Sequence, residues 1–214
     1  MVKFPTPSAR PSLSEKRMRS RPKFKRRGLC GPPHPLHSVS SLGAIMRTYQ
    51  RYNRPRLVEQ LDSFRHEANI GTAVARAALA RRPDGKKYDH QRRIAPNVLS
   101  AVQQRLVGVR IDRCQSFSEL HGLIQTSIGD IYGVGPLMVY DTALRIGAKL
   151  GVWPEQVYLH RGTRSGARAL RLQYRQPTLA VSELPQVLRV LRPHEVEDLL
   201  CVFKSELSRV VVFR

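Results

Sequence analysis

Acidic residues are scarce in this chain. Sixteen Asp and Glu stand against 37 Lys and Arg in 214 residues, a formal charge of +21 with a pI near 11.1. Such an excess repels itself in a compact state and calls for a polyanionic partner: DNA, RNA or an anionic membrane face. Arginine dominates, which suits bidentate contact with phosphate. Cysteine is scarce too. Cys30, Cys114 and Cys201 are odd in number and far apart, which excludes a disulfide scaffold and paired metal-ligand spacing and fits reduced thiols. No run of about eighteen apolar residues occurs, so no membrane-spanning helix is expected. The basic N-terminus is followed by no apolar segment, so a secretory signal is not expected and a cytoplasmic location is, nucleoid-associated in a bacterium. A Ser-His-Asp signature, a GxxxxGK phosphate loop and an HExxH pair are all missing, so no named reaction is supported.

What is present divides unevenly. Residues 1–40 cluster Lys16, Arg17, Arg19, Arg21, Lys23, Lys25, Arg26 and Arg27 with Pro and Ser and almost no acid. Such a composition cannot bury a core, so a flexible basic arm is expected there, adding sequence-independent attraction to phosphates. Cys30, His34 and His37 offer three metal ligands without a fourth, and no metal site is expected. The remainder, 41–214, carries helical periodicity and predicts an all-α, compact multi-helix domain. Leu57, Leu61, Phe64 and Ala68 form one stripe; Val74, Ala77 and Ala78 form another beyond a break at Asn69-Ile70-Gly71. Pro96 opens a helix with Leu99, Val102 and Leu106 inward, and Pro193 opens one with Val196, Leu199, Leu200, Phe203 and Leu207. Glu195, Glu197 and Asp198 near that start suit the helix dipole. Val210-Val211-Val212-Phe213 predicts a docked segment or a short strand.

The organising stretch is 116–151. Ser116-Phe117-Ser118-Glu119 reads as a capping box, followed by Leu120, Leu123, Ile124 and Ile128 on one side. Gly133-Val134-Gly135 runs into Pro136, which suits the first helical position, and Gly151 suits a left-handed terminus. Two helices joined by a glycine turn are therefore expected. Glycines allow close approach of a phosphate, and N–H groups at a helix start attract an anion.

Ile131, Gly133, Val134 and Gly135, with Val139 at an alanine position, resemble the helix-hairpin-helix motif. The resemblance implies a turn that grips a DNA backbone without reading sequence, with Gly133, Val134 and Gly135 as donors and a monovalent cation shared there; no other cofactor is expected. Arg145, Lys149, Arg161, Arg164 and Arg168 are expected to supply nearby charge. Lys86, Lys87, Arg92 and Arg93, interleaved with Tyr88 and His90, form either a solvated loop or a second surface for a backbone or stacked base. His160 to Gly166 predicts a loop leading to a helix, with room for a second anion.

A hairpin late in a helical domain is also distantly similar to the helix-hairpin-helix DNA glycosylase superfamily, which serves DNA repair. Counting on from Gly133 to its catalytic Asp lands near Glu155, and Leu137 stands where strand-cutting members carry Lys. Asp141 is either a displaced carboxylate or the partner of Arg145, four residues on. Three functional readings follow: sequence-independent nucleic-acid binding, with duplex DNA favoured over RNA; a divergent base-excision enzyme using Asp141 or Glu155; and an RNA- or ribosome-associated helical module.

Overall fold

The computed structural model describes residues 41–210. The basic arm with Cys30, His34 and His37, and most of the closing apolar segment, lie outside the described residues. Among the described residues the regular structure is helical apart from one two-stranded antiparallel ladder and an isolated antiparallel bridge between Arg81 and Lys87. In order come α1 (Leu42–Tyr52), α2 (Arg54–Arg65), α3 (Ile70–Ala78), α4 (Pro96–Leu106), α5 (Phe117–Ile128), α6 (Pro136–Leu150), β1 (Val157–Tyr158), α7 (Arg161–Ala169), β2 (Thr178–Leu179), α8 (Pro193–Val202) and α9 (Lys204–Leu207). No helix among the described residues is long and apolar enough to cross a membrane.

The helix boundaries follow local chemistry. The Ser116 hydroxyl accepts from the Glu119 N–H at 3.2 Å and opens α5. The Glu119 carboxylate reaches past the cap and accepts from the Gln115 N–H at 2.8 Å. Pro136 occupies the first turn of α6, and Gly151 ends it with φ of 79°. The break at Asn69 is a reciprocal capping box with Thr72 that starts α3. α1, which the apolar pattern did not disclose, starts on a Ser41 cap and buries Ile45 and Tyr49.

α6 is the central element. Every residue from Met138 to Ala148 is buried. It packs against α5, α3 and α2, so the stretch that organises the sequence also organises the fold. Gly147 is required by a close approach: a Cβ there would stand 2.6 Å from the Val152 carbonyl oxygen. Two hydrophobic clusters result. The first joins α2 through α6 around Phe64, Phe117, Ile124 and Ile146. The second joins α1, the ladder, α7, α8 and α9 around Tyr49, Leu199, Leu200 and Phe203.

β1 lies on the seam between the clusters. Val157 belongs to the second cluster and Tyr158 packs against the first, as strand alternation requires. The Tyr158 ring meets Phe117 and Tyr140, each at 5.4 Å between ring centres. Arg54 at the start of α2 donates to Glu195 on α8 at 2.7 Å. Trp153 stacks on His194 with ring centres 5.1 Å apart.

His194 makes the fold sensitive to acid. Its imidazole is buried, its Nδ1 has no hydrogen-bond partner among the described residues, and burial lowers its pKa from 6.5 to about 4. The unfolded chain therefore binds a proton that the folded chain refuses between those values. Stability from this group is fully present above pH 6.5 and is lost as pH falls toward 4, by about 3 kcal/mol at about 1.4 kcal/mol per decade. Urea titrations at pH 7.5 and pH 4.5 should show a smaller acid loss for His194→Phe than for wild type; equal losses would contradict the assignment.

Candidate nucleic-acid interface

α5 and α6 pack against each other across the glycine turn, the expected helical pair. Gly133 has φ of 93°, a left-handed conformation that a side chain strains, and the Val98 side chain lies beneath it. The Val134 N–H donates to the Ile131 carbonyl at 2.9 Å, so it closes the turn and is not offered outward. Gly135 is the N-cap of α6, with extended backbone and open space where a Cβ would stand. Of the three expected donors, Gly133 and Gly135 keep that role open and Val134 does not. Tyr132, at the tip of the turn, is 97% exposed, an aromatic that the motif does not single out.

The charge expected along α6 is placed differently. Arg145 is fully buried and is not available to a ligand. Its Nη2 lies 3.4 Å from Asp141, and its guanidinium stands 4.0 Å above the Tyr88 ring. The 3.6-residue period explains the outcome: with Asp141 inward, Arg145 four residues on shares its face. Tyr88 is consequently a core residue and not a stacking platform. Lys149 turns to the end of α2, donating to the Arg65 carbonyl at 3.3 Å and to that of Glu67. Lys86, Arg92 and Arg93 remain exposed, while Lys87 donates to the Ile94 carbonyl at 2.8 Å and pins its own loop.

The remaining predicted arginines converge. Arg161, Arg164 and Arg168 on α7 line a cleft of about 590 Å³, together with Ser165, Tyr174, Arg175, Leu159, His160 and Pro136. Pro136 is the first residue of α6, so the exit of the glycine turn and the arginine-lined cleft adjoin. No acid lies among the described residues that line it. Arg164 is held in place by its Nε, which donates to the Leu159 carbonyl at 3.1 Å. Tyr174 and Arg175 were not singled out in the sequence; they reach the cleft through the chain reversal that brings β2 back to β1, a long-range contact with no local signature.

His160 to Gly166 is not a loop. α7 begins at Arg161, and its first turn is capped by His160, whose Nδ1 accepts from the Gly162 N–H at 3.3 Å. Thr163 completes the box, accepting from the His160 N–H at 2.7 Å. The donors at the start of α7 are thus partly spent, and guanidinium groups carry the attraction to anions. On its other side His160 Nε2 meets Glu197 of α8. With Nδ1 accepting, the proton sits on Nε2 and faces the carboxylate. Burial alone would lower the basicity of His160, and Glu197 more than reverses this; burial raises the Glu197 carboxyl against the pull of His160. Both ring nitrogens are engaged, so His160 anchors α7 on α8.

Neither candidate catalytic carboxylate reaches the cleft. Asp141 is buried and accepts from His90 Nε2 at 2.6 Å as well as facing Arg145. Burial would raise its pKa, but His90 and Arg145 hold it below the usual carboxylate range. Its pairing with Arg145 was expected; the contact with His90, 51 positions away in sequence, was not. Glu155 is exposed on the bend between α6 and β1. Among the described residues no group of three or more His, Cys, Asp or Glu is arranged to hold a metal ion. No family model matches the chain, and neither curated proteins nor solved structures gave a match.

Proposed function

We propose that the chain binds nucleic acid, duplex DNA before RNA, through the phosphate backbone and without reading sequence. One observation carries the reading: the glycine turn leading into α6 and a cleft with four arginines and no acid share Pro136, in a chain of formal charge +21. Gly133 and Gly135 can offer N–H groups at the start of α6, where the helix dipole favours an anion. A monovalent cation shared between the turn and a phosphate belongs to the same reading. Phosphate contacts release counterions, so affinity falls with salt by about 0.9 in log–log slope per contact on duplex DNA. If the four cleft arginines each meet one phosphate, the slope measured by fluorescence anisotropy is about −3.6 or steeper. A flat response would remove the electrostatic basis of the proposal.

The enzymatic reading has less support, because Asp141 is committed to His90 and Arg145 and Glu155 stands apart from the cleft. Release of free base from damaged duplex would revive it. The reading as an RNA-associated module predicts equal affinity for RNA and DNA, insensitive to substitutions in the turn.

A further inference from the structure

We propose that the arginine-lined cleft is a seat for a phosphomonoester, the terminal phosphate of a nucleotide or of a nucleic-acid strand. The inference rests on the nucleic-acid reading and names the ligand group of the same cleft. Four arginines, Arg161, Arg164, Arg168 and Arg175, line one cleft of about 590 Å³ with no acid lining it among the described residues. Their mutual repulsion is relieved most by the densest small anion. A phosphodiester inside a strand carries one negative charge and two accessible oxygens. A monoester carries about −1.5 to −2 at neutral pH and three acceptor oxygens, which match guanidinium forks.

Charge density, and not enclosure, favours an end over an interior linkage, since the cleft is open to solvent. Arg164 is anchored through Nε to the Leu159 carbonyl, leaving its terminal nitrogens for the ligand. The lining is not purely ionic. Tyr174 lies between Arg168 and Arg175, their guanidinium carbons 5.8 and 5.9 Å from its ring centre. With Leu159 and Pro136 it provides an apolar and aromatic wall of the kind a sugar or base contacts and a bare ion does not need. The ligand is therefore a nucleotide-borne monoester and not free phosphate.

The test uses the full chain and two single-stranded oligonucleotides of one sequence, labelled at the 3′ end, one bearing a 5′-hydroxyl and the other a 5′-phosphate; a second pair reverses the ends. Anisotropy at constant ionic strength should show at least fivefold tighter binding of a phosphorylated member. The preference should shrink as pH falls below about 6, where the dianionic monoester takes up a proton and becomes a monoanion. Arg164→Gln with Arg168→Gln should abolish the preference; Tyr174→Ala should reduce it and Tyr174→Phe retain it. A nucleoside monophosphate that competes as well as the phosphorylated strand identifies the free nucleotide as the ligand and supports the inference. Inorganic phosphate competing equally would overturn the nucleotide part. Equal affinity for phosphate and hydroxyl ends, with binding of both intact, overturns the inference alone; absence of binding to these strands and to their annealed duplexes overturns the nucleic-acid reading beneath it.

Discussion

Asp141→Ala is expected to lose about 3–5 kcal/mol of stability, the range for removing one partner of a buried ion pair. Arg145 is fully buried, and its Nε and Nη1 have no hydrogen-bond partner among the described residues. Asp141 is its carboxylate, at 3.4 Å, and the Tyr88 ring beneath the guanidinium is a lesser compensation. Arg76 adds repulsion from α3. Without Asp141 a cation stays in the core with no counter-charge. Arg145→Met should cost less, because Asp141 keeps its contact with His90. The double substitution Asp141→Leu, Arg145→Met should recover much of the loss, since apolar replacement of both partners removes the desolvation penalty. Urea denaturation of the three variants measures this. A change below about 1 kcal/mol for Asp141→Ala would show that Arg145 reaches solvent or another anion.

Gly166→Ala should be comparably damaging for a different reason. α7 crosses α8 so closely that a Cβ on Gly166 would stand 2.2 Å from the Leu200 carbonyl oxygen and 2.9 Å from its Cα. Backbone atoms cannot rotate aside as a side chain can, so the helices must separate. Overpacking typically costs about 1–3 kcal/mol and occasionally more, and backbone contact places this site at or above the upper end. At roughly 2–4 °C per kcal/mol for a chain of this size, Tm should fall by roughly 6–12 °C. The same displacement moves Arg161, Arg164 and Arg168, so nucleic-acid affinity should fall as well. Gly135→Ala, with open space at its Cβ but a residue disfavoured at an N-cap, is the milder control and should lower Tm by no more than about 2–4 °C. An unaltered Tm for Gly166→Ala would mean that the α7–α8 crossing is looser than described.

The local signals in the sequence were strong where a residue acts on its own neighbours. Pro136, Gly151, the Ser116 cap and the Asn69 break each set a helix boundary through backbone chemistry within one turn, and all four stand where the pattern placed them. The helix from Pro136 to Leu150 was legible from its end signals, whereas its burial on every side from Met138 to Ala148 was not. Arg145 was misplaced for the same reason: a charged side chain on such a helix is read as a surface residue, although a carboxylate four positions earlier can carry it inward. The ladder of β1 and β2 escaped notice because two-residue strands give no alternation to detect. His90 at Asp141 and Glu197 at His160 are 51 and 37 positions apart, and nothing local announces either pair. The cleft was half legible. The arginines of α7 follow one helical face, whereas Tyr174 and Arg175 join them only through the returning chain.

The most direct test of the nucleic-acid reading is Gly135→Asp. Gly135 is the N-cap of α6 with extended backbone and open space for a side chain, and aspartate is a favoured residue at that position. The variant should fold as well as wild type, with stability unchanged or raised by a few tenths of a kcal/mol. It also places a carboxylate where a phosphate would sit. Fluorescence anisotropy on duplex DNA at fixed salt, with Tm measured on the same samples, separates the two effects. The expected result is an unchanged or higher Tm and at least tenfold weaker binding. An intact fold that binds duplex as tightly as wild type would contradict it, and would leave the glycine turn as a packing corner with no part in binding.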